Sequence, residues 1–489
     1  MAEPWGQVST SVYETGRLVT LAPRLTGHRE RLEYLLAEQR GDGTWGAPEG
    51  YALVPTLSAT EALLTAVARG DDDPQVLLPA AQAGLEALGP MLAGSYALPD
   101  TPAIDLIVPA LVQFVNDHTE GPRLPLPPAM DTSRLARVSG LLESGGEPPQ
   151  KVQHVLEVVG AAGAVRPTPI GTVGASPAAT AAWLSARPEP DSANNARHHL
   201  EAVAGRYGGP VPVGLPITVF ERAWVLSWLL RAGVPVDVPP EMTADLRAAI
   251  GPEGTAAGAG LPADADTTSV ALYALALLGV PYEPSSLAAF DTGTHFCTWH
   301  GEDGSSVSVN AHVLDALGQY TLARPAAGAA YRPLMERVAR WLAERQQPDG
   351  SWSDRWHASP YYATLSCVLA LGEFGGPRHA EAVRGAREWV LATQRADGSW
   401  GRWAGKPEET AYGVQTLLLS GPEPDERCEQ AARRGYEYLI RTANSTDYPP
   451  LWHDKELYSP TAIVRAAVIA AQYVTICHIG GNSRYENRT

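Results

Sequence analysis

Two carboxylates one residue apart stand in Asp264-Ala265-Asp266-Thr267-Thr268, directly ahead of the apolar run SVALYALALLGV. A carboxyl group beside another carboxylate, packed among apolar side chains, keeps its proton because both surroundings penalise the charged form. Such a pair could supply a neutral acid at pH 7, where a hydrated carboxyl near pKa 4 is ionised and cannot donate. The same five residues also read as a helix cap, with Asp or Thr accepting from the first free N–H groups. A helix N-terminus favours ionised Asp, which opposes the acid's task. The residues alone leave both readings open.

The elements that would position this pair are helices. TLSATEALLTAVARG from Thr56, FERAWVLSWLLRAGV from Phe220 and TSVALYALALLGV from Thr268 repeat apolar residues at three and four, and Gly or Pro closes most such segments. Strand-like alternation is scarce, so the pattern predicts an all-α chain, either an (α/α) toroid or a helical solenoid. A repeat supports this. Gln39–Trp45, Gln346–Trp352 and Gln394–Trp400 share the form Q-x-x-x-G-x-W, each with Asp before its Gly and each after an apolar helix. Gln is expected to bond nearby backbone, Gly to take the left-handed cap, and Trp to staple the turn to a neighbouring helix. Pro-rich stretches fall at Gly121–Met130 and Pro235–Met242, and the second suggests a domain boundary near residue 245.

Bulk properties bound the function. The 489 residues allow two to four domains, with 45% apolar and 19% charged residues, an ordinary globular composition. A net charge of -17 repels phosphate backbones and argues against nucleic-acid binding. Cys297, Cys367, Cys428 and Cys477 form no C-x-x-C pair, which fits a reducing cytosol rather than a zinc ribbon or disulfide framework. MAEPWGQVST lacks the basic and apolar regions of a secretory signal. No uncharged apolar run reaches about 18 residues, and Val270–Val280 and Ala466–Ile479 read as buried helices. The expectation is a cytoplasmic protein without stable membrane insertion.

The three repeats resemble the QW motifs of the triterpene cyclase and class II diterpene cyclase superfamily. Trp5–Ser9 with Tyr13-Glu14-Thr15 resembles the family's N-terminal SPSAYDTAW stretch, and Ser306–Leu317 its PSVSxNxNVLLAL segment. Trp356–Tyr362 is similar to KWHxSPYYPT, Glu408–Tyr412 to EETAY, and Leu451–Arg465 to LWxxKxLYxPxxxVR. The resemblance spans nearly the whole chain. It implies two (α/α) barrel domains with the active site between them: β (1–19 with 246–489) and an inserted γ (20–245). It also implies a class II reaction, in which the middle Asp of a D-x-D-D motif protonates a terminal alkene. A diphosphate-ionising domain would need D-D-x-x-D; Asp71-Asp72-Asp73 comes nearest, but position 75 is Gln.

Site residues follow from the same resemblance. Asp266 matches the general acid and Asp264 its charged neighbour, while Thr267 stands where most relatives carry a third Asp. Asn310 and Ser306, four apart on one helix face, match residues that bond the acid in plant relatives. His154 aligns with a plant base, but its partner position is Val213, so the pair is broken and His154 reads as an ordinary histidine. Arg134, Arg137, Lys455 and Arg465 are the cations offered for the diphosphate. Trp224, Trp299, Trp356, Tyr361, Tyr362, Tyr412 and Tyr458 are the rings offered to a cation. Mg2+ would arrive with the substrate diphosphate; GSYALPDTPAID lacks the family's acidic E-D-x-x-D-like stretch, so its ligands are unnamed. The implied reaction turns geranylgeranyl or farnesyl diphosphate into a bicyclic labdane- or drimane-type diphosphate. A squalene-type cyclase and a non-catalytic toroid binding protein are the alternatives, and the sequence leaves the oligomeric state open.

Overall fold

The computed structural model describes residues 5–94, 98–121, 123–128, 130–160, 165–186, 195–421, 423–443 and 448–479. Ser95–Ala97, within the segment compared with the acidic stretch, lie outside the described residues. Helix dominates, and the one sheet among the described residues is the antiparallel pair Trp452–His453 and Leu457–Tyr458.

Six helices close into a ring in the C-terminal part: Thr218–Arg231, Ala265–Leu277, Val307–Ala323, Pro360–Phe374, Pro407–Leu419 and Thr461–Ile479, the last packing back on the first. Outer elements alternate with them along the chain: Pro240–Ala249, the short helix Pro284–Phe290, Pro325–Ala343, Ala380–Thr393 and Glu426–Arg441. The inner helices are apolar nearly all round, as helices buried on every side must be; Leu272, Val309, Leu365, Leu417 and Ile463 are all buried in one continuous core. In the N-terminal part, Val12–Leu21, Leu53–Arg69, Ile104–Asp117, Leu156–Val159 and Pro177–Ser185 form a second, five-membered ring.

This packing corrects both expected boundaries. The C-terminal ring needs Thr218–Arg231 as its sixth member, and Phe220, Trp224 and Leu226 share its core, so the division falls between 215 and 220 rather than near 245. The Pro-rich Pro235–Met242 stretch is only the turn from an inner helix to its outer neighbour. Helix Val12–Leu21 closes the N-terminal ring, with Tyr13 and Leu18 in that ring's core, so residues 12–19 do not belong to the C-terminal domain. The strand-like stretch before it reaches across, with Ser9 N donating to Ser459 O at 2.9 Å and Ile217 N to Trp5 O at 2.9 Å, while the first turn of the helix meets the Trp452–Tyr458 hairpin through Tyr13 N and Glu14.

Each QW repeat occupies a turn from an outer helix to an inner one. The indoles of Trp45, Trp352 and Trp400 are fully buried and donate to Leu35 O, Leu342 O and Val390 O. Their backbone N–H groups donate to Thr56, Thr364 and Thr410 on the following inner helix. Gln39, Gln346 and Gln394 bond the local turn and also reach Ala80 O, Ala382 O and Ala431 O on the next outer helix. Gly350, at φ 96°, is required twice over, since a Cβ there would sit 2.3 Å from Gly385 O. Among the described residues, three helices, Glu49–Arg69, Pro74–Ala93 and Thr461–His478, are long and apolar enough to cross a membrane. The second is an outer helix; the first is the ring helix Leu53–Arg69 with the short turn Glu49–Ala52 before it, and the third lies within the ring helix Thr461–Ile479.

Candidate active site

Starts of the inner helices lie at the end of the C-terminal barrel that meets the N-terminal segment: Ile217 N donates to Trp5 O, Thr461 N donates to Gln7 O, and Ser359 Oγ donates to Glu409 across two neighbouring helix starts. Both readings of the Asp motif hold there, on different residues. Asp264 is the N-cap of helix Ala265–Leu277: its carboxylate accepts from Thr267 N at 2.6 Å and from Thr267 Oγ1 at 3.0 Å. Burial pushes its carboxyl up to about 7, with the Asp266 charge adding to the rise and the Thr267 donors opposing it. Asp266, in the first turn, is not consumed by the cap. Its Oδ1 lies 2.6 Å from His312 Nδ1, and 15% of its side chain stays accessible, so it can reach a ligand. Burial works against a charged His312, but the Asp266 carboxylate and its hydrogen bond outweigh that and raise its pKa above the ordinary value.

His312 is the residue that sequence reasoning missed. It sits two positions after Asn310, where the resembling segment carries its second Asn, and the structure moves the acid's partner from Asn310 to His312. Asn310 instead accepts from Phe296 N and donates to Phe296 O and Ser306 O, pinning the loop before the helix. Ser306 is the N-cap of Val307–Ala323 and donates to Asp354 at 2.7 Å; no hydrogen bond between it and Asp266 is seen. Asp354, also unforeseen, accepts from Ser306, Val307 N, Ser308 and Trp356 N, and so fixes the helix that carries His312.

Aromatic rings surround the pair. Trp224 meets His312 edge-on at 5.5 Å, Tyr362 does so at 6.3 Å, and the Trp224 indole donates to Tyr362 OH. Tyr412 and Trp452 extend the cluster at 5.5 and 5.0 Å from Tyr362, and Phe220 packs on Trp224 at 4.4 Å. Tyr458 lies on the adjoining strand, and the Asp266 and Asp454 charges add to the burial that raises its phenol. Trp356 and Trp299 pair at 5.1 Å beside Thr298, whose carbonyl caps Ala265 N, so they form a rim next to the acid's helix. Tyr361 departs from expectation: it lies on Trp389 of an outer helix and packs the barrel wall.

The diphosphate cations fare differently. Lys455 is fully buried and donates to Glu14 and Glu157 at 2.6 and 2.8 Å and to Ser176 at 2.8 Å. All three of its protons are spent tying the Trp452–Tyr458 hairpin to the N-terminal barrel, so it does not bind a diphosphate. Beside it, His154 donates from Nδ1 to Gly174 O at 2.6 Å and from Nε2 to Asp454 at 2.8 Å. Two acceptors make it an imidazolium, with no lone pair for a base; burial lowers its pKa but Asp454 raises it further. Arg134 pairs with Asp105 at 2.6 Å and Arg137 reaches Ser133 Oγ, both on the outer helix Ser133–Glu143. That helix borders a cavity of about 440 Å³ shared with Ile104–Asp117 and Val158–Gly160. Arg465 is exposed on the last helix. Among the described residues, no group of three or more His, Cys, Asp or Glu could hold a metal ion.

Comparison with known proteins gives this geometry its class. Residues 301–475 match the family model of the squalene-hopene cyclase C-terminal domain. Over 97% of its length the chain is 44% identical to an ent-copalyl diphosphate synthase of Streptomyces sp. (strain KO-3988), covering 94% of that protein. The chain belongs to the class II terpene cyclases, the family of these diphosphate synthases, and it is an isomerase-type cyclase. It is 41% identical to the labda-7,13-dienyl diphosphate synthase of Streptomyces clavuligerus, over 96% of this chain and 90% of that one. The structure of ent-copalyl diphosphate synthase from Streptomyces platensis superposes with a TM-score of 0.93 at 44% identity, covering 97% of both chains.

Proposed function

We propose that this cyclase takes geranylgeranyl diphosphate, protonates its terminal alkene with Asp266, and releases a bicyclic labdane-type diphosphate. The observation that carries this reading is the 2.6 Å contact of Asp266 Oδ1 with His312 Nδ1 beside the rings of Trp224 and Tyr362. An alkene is a very weak base, so its protonation needs an acid whose conjugate base is stabilised as the proton leaves. His312 supplies that by donating to the carboxylate that forms, and the short charged hydrogen bond strengthens with the charge. The ring faces then stabilise the cation in place of water, which would quench it. Relatives along the whole chain are copalyl and labdadienyl diphosphate synthases by name, which supports a twenty-carbon linear isomer over farnesyl diphosphate or squalene.

The diphosphate stays on the product because nothing in this chemistry breaks its C–O bond. Arg134 and Arg137 remain the cations proposed to meet it, with Arg134 leaving Asp105 as it does so. Mg2+ is proposed as a companion of the substrate diphosphate, since the described residues hold no preformed metal group, and no step passes through it. The four unpaired cysteines support a cytosolic enzyme. The test is Asp266→Asn with geranylgeranyl and farnesyl diphosphates offered separately, followed by mass spectrometry before and after phosphatase. Loss of cyclic product in a folded variant is expected; near-native turnover, or cyclic product without its diphosphate, contradicts the reading.

A further inference from the structure

Cyclisation leaves a cation that must lose a proton, and His154, which aligns with a plant base but reads as an ordinary histidine, is an imidazolium with both nitrogens engaged. A different buried group has an acceptor to spare. Glu408, in the first turn of Pro407–Leu419, is buried, and three donors converge on its Oε1: Tyr412 OH at 2.8 Å, Trp452 Nε1 at 2.8 Å and His357 Nε2 at 3.3 Å. His357 Nδ1 accepts from Ser359 N at 3.0 Å, so its proton is on Nε2 and it donates to Glu408. Oε2 of Glu408 is buried without a hydrogen-bond partner. An unsatisfied carboxylate oxygen is costly to bury and marks a position kept for something other than stability.

Its surroundings connect it to the acid. Tyr362 stacks on His357 at 4.4 Å and lies 5.0 Å from Trp452. Tyr362 in turn faces His312, the partner of Asp266. The rings thus run from the proton donor to Glu408 and offer their faces to a positive charge that migrates as rings close. Glu409 also has an unpartnered oxygen, but it bonds Ser359 and the Arg402 backbone rather than the ring cluster. A C–H bond beside a cationic carbon is so acidic that the position of the base, rather than its strength, selects the proton lost.

We propose that Glu408 Oε2 accepts the proton that ends the reaction. The C–H bond next to the cationic carbon breaks, its electron pair forms the new alkene, and the proton joins Oε2. Asp266 has given one proton and Glu408 takes one, so substrate and product are isomers; exchange with water on product release restores both groups.

This inference rests on the cyclase reading, and Glu408→Gln separates the two. Gln keeps an acceptor for the three donors and removes the base. With full-length protein, geranylgeranyl diphosphate and Mg2+, the variant is expected to hold KM within roughly threefold. The wild-type alkene should fall by at least about tenfold, diverted to a hydroxylated bicyclic diphosphate or an isomeric alkene. Unchanged product with kcat within about twofold overturns the proposal, as does loss of every cyclic product in a folded variant, because deprotonation follows ring closure. If Glu408→Gln fails to fold, Glu408→Asp withdraws the base by one methylene and must divert the product likewise; an unchanged product overturns the proposal. Absence of cyclic product from the wild type would instead refute the cyclase reading.

Discussion

Replacing His312 by Leu tests how the acid is tuned. The substitution removes the donor 2.6 Å from Asp266 Oδ1 and leaves a partly buried carboxylate to form without it. Hydrogen bonds to charged groups contribute roughly 1.5–3 kcal/mol, and each 1.36 kcal/mol is about tenfold in rate. The expected loss in kcat is therefore on the order of 10- to 150-fold, with KM little changed, because the contact matters most as charge develops. His312→Asn keeps an N–H donor at the position where the family segment carries Asn, and should recover part of the loss. The pH profile separates this from a packing defect. His312 has its pKa raised above the ordinary value, so the stability its charged form contributes is fully present below about 6.5 and is lost as pH rises through the raised value. The wild-type rate should share that basic limb, since the pair there loses its proton, and the Leu variant should lose it. A Leu variant with kcat within about threefold of wild type and the same basic limb would refute the reasoning.

Asp264→Asn keeps a competent N-cap and deletes a carboxyl that burial holds up at about 7. Because the folded protein keeps this proton when the unfolded chain has lost it, wild-type stability should fall as pH rises from about 4 to about 7, by at most on the order of 4 kcal/mol. Urea melts at acid and neutral pH should show a flatter dependence in the variant. Thr267→Asp removes the hydroxyl that donates to Asp264 and adds a like charge. Cyclisation should slow and its pH optimum move up, while Asp264→Asn moves it down; optima shifting together would exclude electrostatic tuning. Lys455→Met strands Glu14 and Glu157, which should cost roughly 3–5 kcal/mol in denaturation, with product identity unchanged in the protein that remains folded.

Much of this was legible in the sequence, and the failures have physical causes. The QW turns were readable because Gln, Gly and Trp each perform one local task at a fixed offset, and the structure repeats the same bonds three times. The Asp motif was readable as either a cap or an acid; one residue apart on a helix start, Asp264 takes the first role and Asp266 is left available for the second. The partner was misplaced because Asn310 and His312 lie two apart on one turn, and only the three-dimensional rotation of Val307–Ala323 decides which one meets Asp266. Lys455 looked like a phosphate ligand because sequence shows a charge and not its partners, which lie 441 and 298 residues away. The boundary near 245 failed because proline marks a turn equally well inside a barrel and between two.

The central claim is that Asp266 starts the reaction by adding a solvent-derived proton to carbon while the diphosphate stays in place. Turnover of geranylgeranyl diphosphate in deuterium oxide measures it directly, with intact product analysed by mass spectrometry. The account predicts one deuterium in every bicyclic diphosphate, carried on the ring methylene next to the gem-dimethyl carbon, where protonation of the alkene CH leaves it, and none formed by Asp266→Asn. Cyclic product that carries no deuterium, or that appears together with free pyrophosphate, would contradict it.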